Sequence, residues 1–177
     1  MKRALVVVDY QNDFVDGALG FEKAKALESG IAARVEDALS EGGSVFFTLD
    51  THDDTYLDTR EGKHLPVKHC IKNSAGHKLY GSLSGYAQRK GVTQVEKGGF
   101  GSAALPGRIR EIMGVPDVIQ LCGIVTNMCV ISNAVLLQTA FENAELQIIE
   151  PLCASFDEPL HRAAIEVMRG LQMQIVE

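Results

Sequence analysis

The stretch Asp117–Phe141, DVIQLCGIVTNMCVISNAVLLQTAF, decides how this chain is read, because its hydrophobic period changes part-way along. From Asp117 to Cys122 it is short, β-rich and bounded by Pro116 and Gly123, the pattern of a buried strand. From Asn127 to Phe141 the apolar residues recur at helical spacing. A strand that turns directly into a helix is half of a βα unit, and Gly123-Ile-Val-Thr-Asn-Met-Cys129 is the turn between them. Cys129 is expected in the first turn of the helix, where unpaired backbone N–H groups and the positive end of the helix dipole favour thiolate. A small buried residue at a helix start is the alternative reading of the same cysteine. Partners elsewhere in the chain have to decide between the two.

The same alternation repeats on both sides of this unit. Strands are expected over Arg3–Val8, Ser44–Leu49, Val92–Glu96, Asp117–Cys122, Glu145–Ile149 and Met173–Val176. Helices are expected near Leu27–Glu41, Ala104–Met113, Asn127–Phe141 and Asp157–Arg169. Strand-to-strand connections that contain helices require crossovers, so the prediction is an α/β fold: a six-stranded, mostly parallel sheet with helices on both faces. At 177 residues the chain is one domain, 1–177, a three-layer sandwich. No repeat, low-complexity tract or linker interrupts it. The irregular stretch Thr51–Gly91 is longer than compact domains usually carry without a function, and it holds four of the five histidines.

Composition removes several classes of function. A net charge of −6, with neither sign gathered into a tail, argues against nucleic acid or an anionic membrane as partner and leaves a small ligand. No apolar run approaches the ~20 residues of a membrane span, and the apolar run after Met1-Lys2-Arg3 is too short for a signal peptide, so the protein is expected in the cytoplasm. Cys70, Cys122, Cys129 and Cys153 form no CxxC pair and no zinc-ribbon spacing, so free thiols are expected.

Ligands of open parallel sheets bind beyond the carboxyl ends of the strands, which makes those positions the ones to inspect. Asp9 follows Leu5-Val-Val-Val8; it can cap a turn or, buried beside a thiol, accept the thiol's proton. Lys97 ends the Val92–Glu96 run just before Gly98-Gly99, as a surface lysine or as an ammonium brought close to a ligand. With Cys129, these residues occupy three strand ends of one sheet, where a single site can gather them. Asp50 and His52 follow another strand at i, i+2 spacing and face one way if the chain stays extended. His69 arrives from the long connection, and one carboxylate with two imidazoles makes an open facial metal site suited to zinc, iron or manganese. A solvated histidine-rich loop is the other reading, with His64 and His77 as equally unforced members. Other signatures fail. Gly99-Phe-Gly-Ser-Ala-Ala104 fits a dinucleotide loop but is not on the first strand and lacks the acidic residue at the next strand's end. No arginine follows Cys129 closely enough for a phosphatase loop, and no G-x-S-x-G elbow is present.

Four blocks together carry a resemblance: Val8-Asp-Tyr-Gln-Asn-Asp-Phe14; Thr48-Leu-Asp-Thr-His52 with Val67-Lys-His-Cys70; Lys97 with Phe100-Gly-Ser102; and Gly123-Ile-Val-Thr-Asn-Met-Cys-Val130. In this order they resemble the isochorismatase-like cysteine hydrolases and, within them, the nicotinamidase-related amidases. The resemblance implies a catalytic triad of Asp9, Lys97 and Cys129 and metal ligands Asp50, His52 and His69. It also implies a cis peptide at Val125–Thr126, with oxyanion-hole N–H groups from Thr126 and Cys129. Phe14 and Phe100 are expected as apolar walls for the substrate. The implied activity is hydrolysis of a small amide to a carboxylic acid and ammonia through a thioester, with a divalent metal, zinc first and iron or manganese as alternatives. A homo-oligomer, dimer or larger, is implied as well. Nicotinamidases commonly place a tryptophan near the histidine-cysteine block, whereas this chain has none and offers Leu65 or Pro66 there. Two rival readings keep the same residues: an amidase for carbamoyl or ureido compounds, and a non-catalytic oligomer that binds a metal or metabolite.

Overall fold

The structure, a computed structural model, describes residues 1–177. Its centre is one sheet of six strands in the order β3-β2-β1-β4-β5-β6, every neighbouring pair parallel. In chain order these are β1 (Arg3–Val8), β2 (Ser44–Asp50), β3 (Val92–Lys97), β4 (Val118–Ile124), β5 (Glu145–Ala154) and β6 (Gln174–Val176). β1 lies in the middle, and Ala4 to Val8 are all buried, because a strand covered on both faces has no solvent side on which to place a polar residue. β3, at the edge, buries only Val95 and Lys97.

The longer helices cover the two faces. α3 (Glu28–Ser40), preceded by the short α1 (Asn12–Val15) and α2 (Glu22–Ala26), buries Ile31, Val35 and Ala38 on one stripe and packs on β1 and β2. The 51–91 connection is not uniformly irregular. It contains α4 (Arg60–His64), capped by the Thr59 hydroxyl, and 3-10 turns at Tyr56–Asp58 and Gly81–Tyr86. α5 (Leu105–Met113), α6 (Ile131–Ala140) and α7 (Glu158–Gly170) contact one another in succession. Right-handed crossovers put these last three on the face opposite α3.

Two departures from the predicted elements bear on the site. β2 and β3 run one residue further than expected, so Asp50 and Lys97 are the last residues of paired strands and stand in register with each other. β5 continues past Ile149 to Ala154, with a register break that sets Ile149 to Leu152 opposite Cys122; proline supplies no ladder N–H and is tolerated at such a bulge. The chain leaves β1 in one direction along the sheet and β4 in the other. The crevice between their carboxyl ends is therefore the topological switch point, with Asp9 on one side and the Gly123–Cys129 turn on the other.

Candidate active site

Asp9 is fully buried and adopts a left-handed backbone conformation, φ 47°, that turns the chain sharply out of β1. Thr48 on β2 fixes it from both ends. The Thr48 hydroxyl donates to Asp9 Oδ1 at 2.6 Å, and the Asp9 N–H donates to the Thr48 carbonyl and hydroxyl oxygens, both at 3.2 Å. Lys97 reaches in from β3. Its Nζ lies 2.6 Å from Asp9 Oδ2 and 3.1 Å from Asp50 Oδ1, donates to the Gly99 carbonyl at 2.7 Å, and stands 3.6 Å from Cys129 Sγ. The contact with Asp9 Oδ2 is an ion pair closed off from solvent on both sides.

Burial works to lower the Lys97 ammonium, but Asp9, Cys129 and Asp50 outweigh it and hold the lysine protonated above its ordinary range. Burial pushes the Asp9 carboxyl up, and Lys97 only partly opposes it. Cys129 departs from expectation. It sits not in the first turn of an α-helix but in a π-type turn, Thr126–Val130, closed by Val130 N–H to Val125 C=O at 3.2 Å, before α6 begins. Burial and the nearby Asp9 raise its thiol well above the ordinary value, and Lys97 opposes them only in part. The cis peptide is Ile124–Val125, one residue earlier than the sequence suggested.

The metal-type donors form a second cluster that shares Asp50. Asp50 Oδ2 lies 2.8 Å from His52 Nε2 and 3.3 Å from His69 Nε2. Glu61 Oε1, on α4, lies 3.9 Å and 4.0 Å from the same two nitrogens. One donor atom from each of Asp50, His52, Glu61 and His69 falls within 4.8 Å of the others, a set suited to a divalent transition metal. His69 Nδ1 is engaged by the Val67 carbonyl at 2.8 Å, which turns Nε2 toward the cluster. Burial alone would raise the Asp50 carboxyl, but hydrogen bonds from His52 and His69 and the charge of Lys97 hold it far below the usual carboxylate range. His64 and His77 lie outside the set: His64 Nδ1 meets the Arg60 carbonyl and His77 Nε2 the Thr51 hydroxyl, each at 2.8 Å. Phe14 is buried with its ring 5.3 Å from that of His69, while Phe100 is 42% exposed, open to whatever approaches from outside.

Residues 3–177 match the isochorismatase domain. The chain belongs to that family. It is 29% identical over 175 residues to an uncharacterized isochorismatase family protein, PncA of Bacillus subtilis, with 93% of each chain covered. Among solved structures it resembles nicotinamidase PncA from Bacillus subtilis, at TM-score 0.88 and 30% identity over 100% of both chains. The pyrazinamidase/nicotinamidase from Streptococcus mutans gives TM-score 0.88 and 30% identity over 99% of this chain and 100% of that one. The pyrazinamidase of Pyrococcus horikoshii, solved in complex with zinc, shares the fold at TM-score 0.87 and 20% identity, covering 100% of this chain and 99% of that one.

In this isochorismatase-family chain the residues that sequence reasoning missed are those that hold others in place. Gln11 is fully buried. Its side chain accepts the Asp50 N–H at 2.7 Å and donates to the Asp50 and His77 carbonyls, each at 2.9 Å. Asp13 Oδ2 accepts the N–H of Cys70, the left-handed residue after His69, at 2.7 Å. Asn133 accepts the Ser102 N–H at 2.9 Å and donates to the Cys129 and Phe100 carbonyls at 2.8 and 3.2 Å, joining the segment after Lys97 to the cysteine turn. Gln11 and Asp13 were legible only as parts of a motif. The same holds for Thr48, whereas Glu61 and Asn133 carry no sequence signal of their own.

Proposed function

We propose that the chain is a cysteine amidohydrolase that converts a small primary amide, nicotinamide and pyrazinamide foremost, to the carboxylic acid and ammonia. The observation that carries this reading is the position of Lys97, whose ammonium lies against both the Asp9 carboxylate and the Cys129 sulfur in a buried cluster. The activities named for the Bacillus and Streptococcus proteins, each 30% identical over essentially the whole chain, point the same way.

A buried thiol raised in pKa needs a base at the moment of attack. Asp9 Oδ2 takes the Cys129 proton as sulfur bonds to the amide carbon, and the positive charge of Lys97 offsets the anion that forms. The carbonyl oxygen becomes an oxyanion held by backbone N–H groups of Thr126 and Cys129; the Val125 N–H, which has no partner within the protein, is a further donor at the same turn. Protonated Asp9 gives its proton to the nitrogen, the C–N bond breaks and ammonia leaves. Water then attacks the thioester as Asp9 removes its proton; the C–S bond breaks, the acid is released and the sulfur regains a proton from Asp9.

Asp50, His52, Glu61 and His69 would hold a divalent metal, zinc first and iron or manganese as alternatives. When bound, it supplies a Lewis acid for a basic ring nitrogen of the substrate or for a water in the pocket. Phe14 and Phe100 serve as apolar walls. The decisive experiment is an ammonia-release screen over small primary amides, with and without added metal. No turnover of nicotinamide, pyrazinamide or ureido compounds by metal-loaded protein would reject the reading.

A further inference from the structure

The cysteine turn is wound as a π-type turn, a form that short sequences rarely adopt unaided and that persists where neighbouring groups hold it. Two of its side chains are tied to the β5–α7 junction. The fully buried Thr126 hydroxyl lies 2.9 Å from His161 Nδ1, on the first turn of α7. The Ser155 hydroxyl donates to Asn127 Oδ1 at 2.7 Å and accepts the Asp157 N–H at 3.0 Å. Asp157 in turn caps α7, accepting the Leu160 N–H at 2.9 Å. The cap, the serine and the histidine thus form one continuous brace behind residues 126 and 127. His161 is the one histidine outside the 51–91 connection, and its hydrogen bond goes to neither the Asp9–Lys97–Cys129 cluster nor the metal-type donors.

We infer that His161, supported by Ser155, is a positioning residue that keeps the Thr126–Val130 turn in the conformation that presents Cys129 to Asp9 and Lys97. This rests on the reading of Cys129 as nucleophile. The side chain acts through Thr126, so its removal degrades the geometry of attack without emptying the substrate pocket or disturbing the donors around Asp50. The signature is a loss in kcat, and in the intrinsic reactivity of the sulfur, at constant KM and constant metal content.

The test uses the full chain loaded with zinc. His161→Ala is expected to lower both kcat for nicotinamide and the rate of Cys129 alkylation by iodoacetamide about fivefold to tenfold, the worth of one neutral hydrogen bond. Asparagine carries its amide atoms where histidine carries Nδ1, whereas glutamine reaches only to the Nε2 position. His161→Asn therefore restores most of both rates and His161→Gln does not, a contrast that general destabilisation would not produce. Ser155→Ala lowers both rates in the same direction. A His161→Ala protein with wild-type kcat and alkylation rate overturns the inference, as does a loss that Asn and Gln repair equally or not at all. If the unaltered protein hydrolyses no amide, the functional reading fails, while the alkylation series still decides whether residue 161 holds the Cys129 turn.

Discussion

The two clusters that meet at Asp50 are built in opposite ways. Asp9 follows β1, Lys97 ends β3 and Cys129 follows β4 by a short turn, so three strands of one sheet bring these residues together. Asp50 and His52 also come from a strand end, but Glu61 and His69 arrive on the 51–91 connection, where main-chain pairing is limited to the isolated bridges His52–Ile71 and Gln11–Leu79. There the placement also draws on side chains bonded to main chain: Gln11 on Asp50, Asn12 on Ala75, Asp13 on Cys70. A parallel sheet aligns residues as a by-product of folding. A loop needs side-chain amides and carboxylates committed to the task.

The largest expected effect breaks the strand-built side. Cys129→Ala should reduce amide hydrolysis on the order of 10⁵-fold or more, with no acyl-enzyme trapped on the protein and the melting temperature nearly unchanged. Undiminished turnover by the alanine variant would remove the nucleophile from the scheme. Asp9→Asn, which keeps the shape and removes the base, should cost about 10²- to 10⁴-fold in kcat. Metal content measured on the same protein should stay at the wild-type value, since Asp9 is no donor.

The loop-built side should fail more gently and in a different observable. Gln11→Ala frees both ends of the Asp50 peptide and should weaken zinc binding about 10- to 100-fold, read by competition with a chromogenic chelator. Wild-type zinc affinity in that variant would mean that the Asp50 main chain holds its place without the clamp. Glu61→Gln should weaken zinc binding by about tenfold or less, because three donors remain. If the affinity does not change, Glu61 merely lines the cluster.

The pH dependence sharpens the comparison further. Burial raises the folded-state pKa of Asp9, so its proton-accepting form is lost as pH falls through a value above the ordinary 3.8 of an aspartate. The acid limb of kcat/KM should therefore begin above the usual aspartate range and should be absent from the residual activity of Asp9→Asn. The apparent value belongs to the coupled cluster of Asp9, Lys97 and Cys129. A limb at the ordinary aspartate position would show that the carboxylate is better solvated than its surroundings imply.

The same division explains what could be read from the sequence. Apolar runs ending in an ionisable residue marked Asp9, Asp50 and Lys97, and the change of period at Gly123 marked Cys129; the parallel topology followed from the alternation. The end of β5 was missed because Pro151 looks like a terminator until the bulge opposite Cys122 is seen. The raised thiol pKa could not be read from the sequence, because dipole and N–H groups are local, whereas burial and the proximity of Asp9 arise only when distant segments close over the sulfur. Glu61 had no place in the sequence reading, because only the fold lays the short helix α4 beside the two imidazoles.

One small residue sets how closely the two sides of the crevice approach. Gly123 stands opposite Val8 with φ 113°, and a Cβ there would run into the Val8 main chain. Even a methyl group at this position would wedge apart the tips of the two central strands, just where one hands on to the carboxylate and the other to the thiol. The spacing of the proposed proton donor and acceptor is in this sense gauged by a single missing side chain, one that touches neither of them.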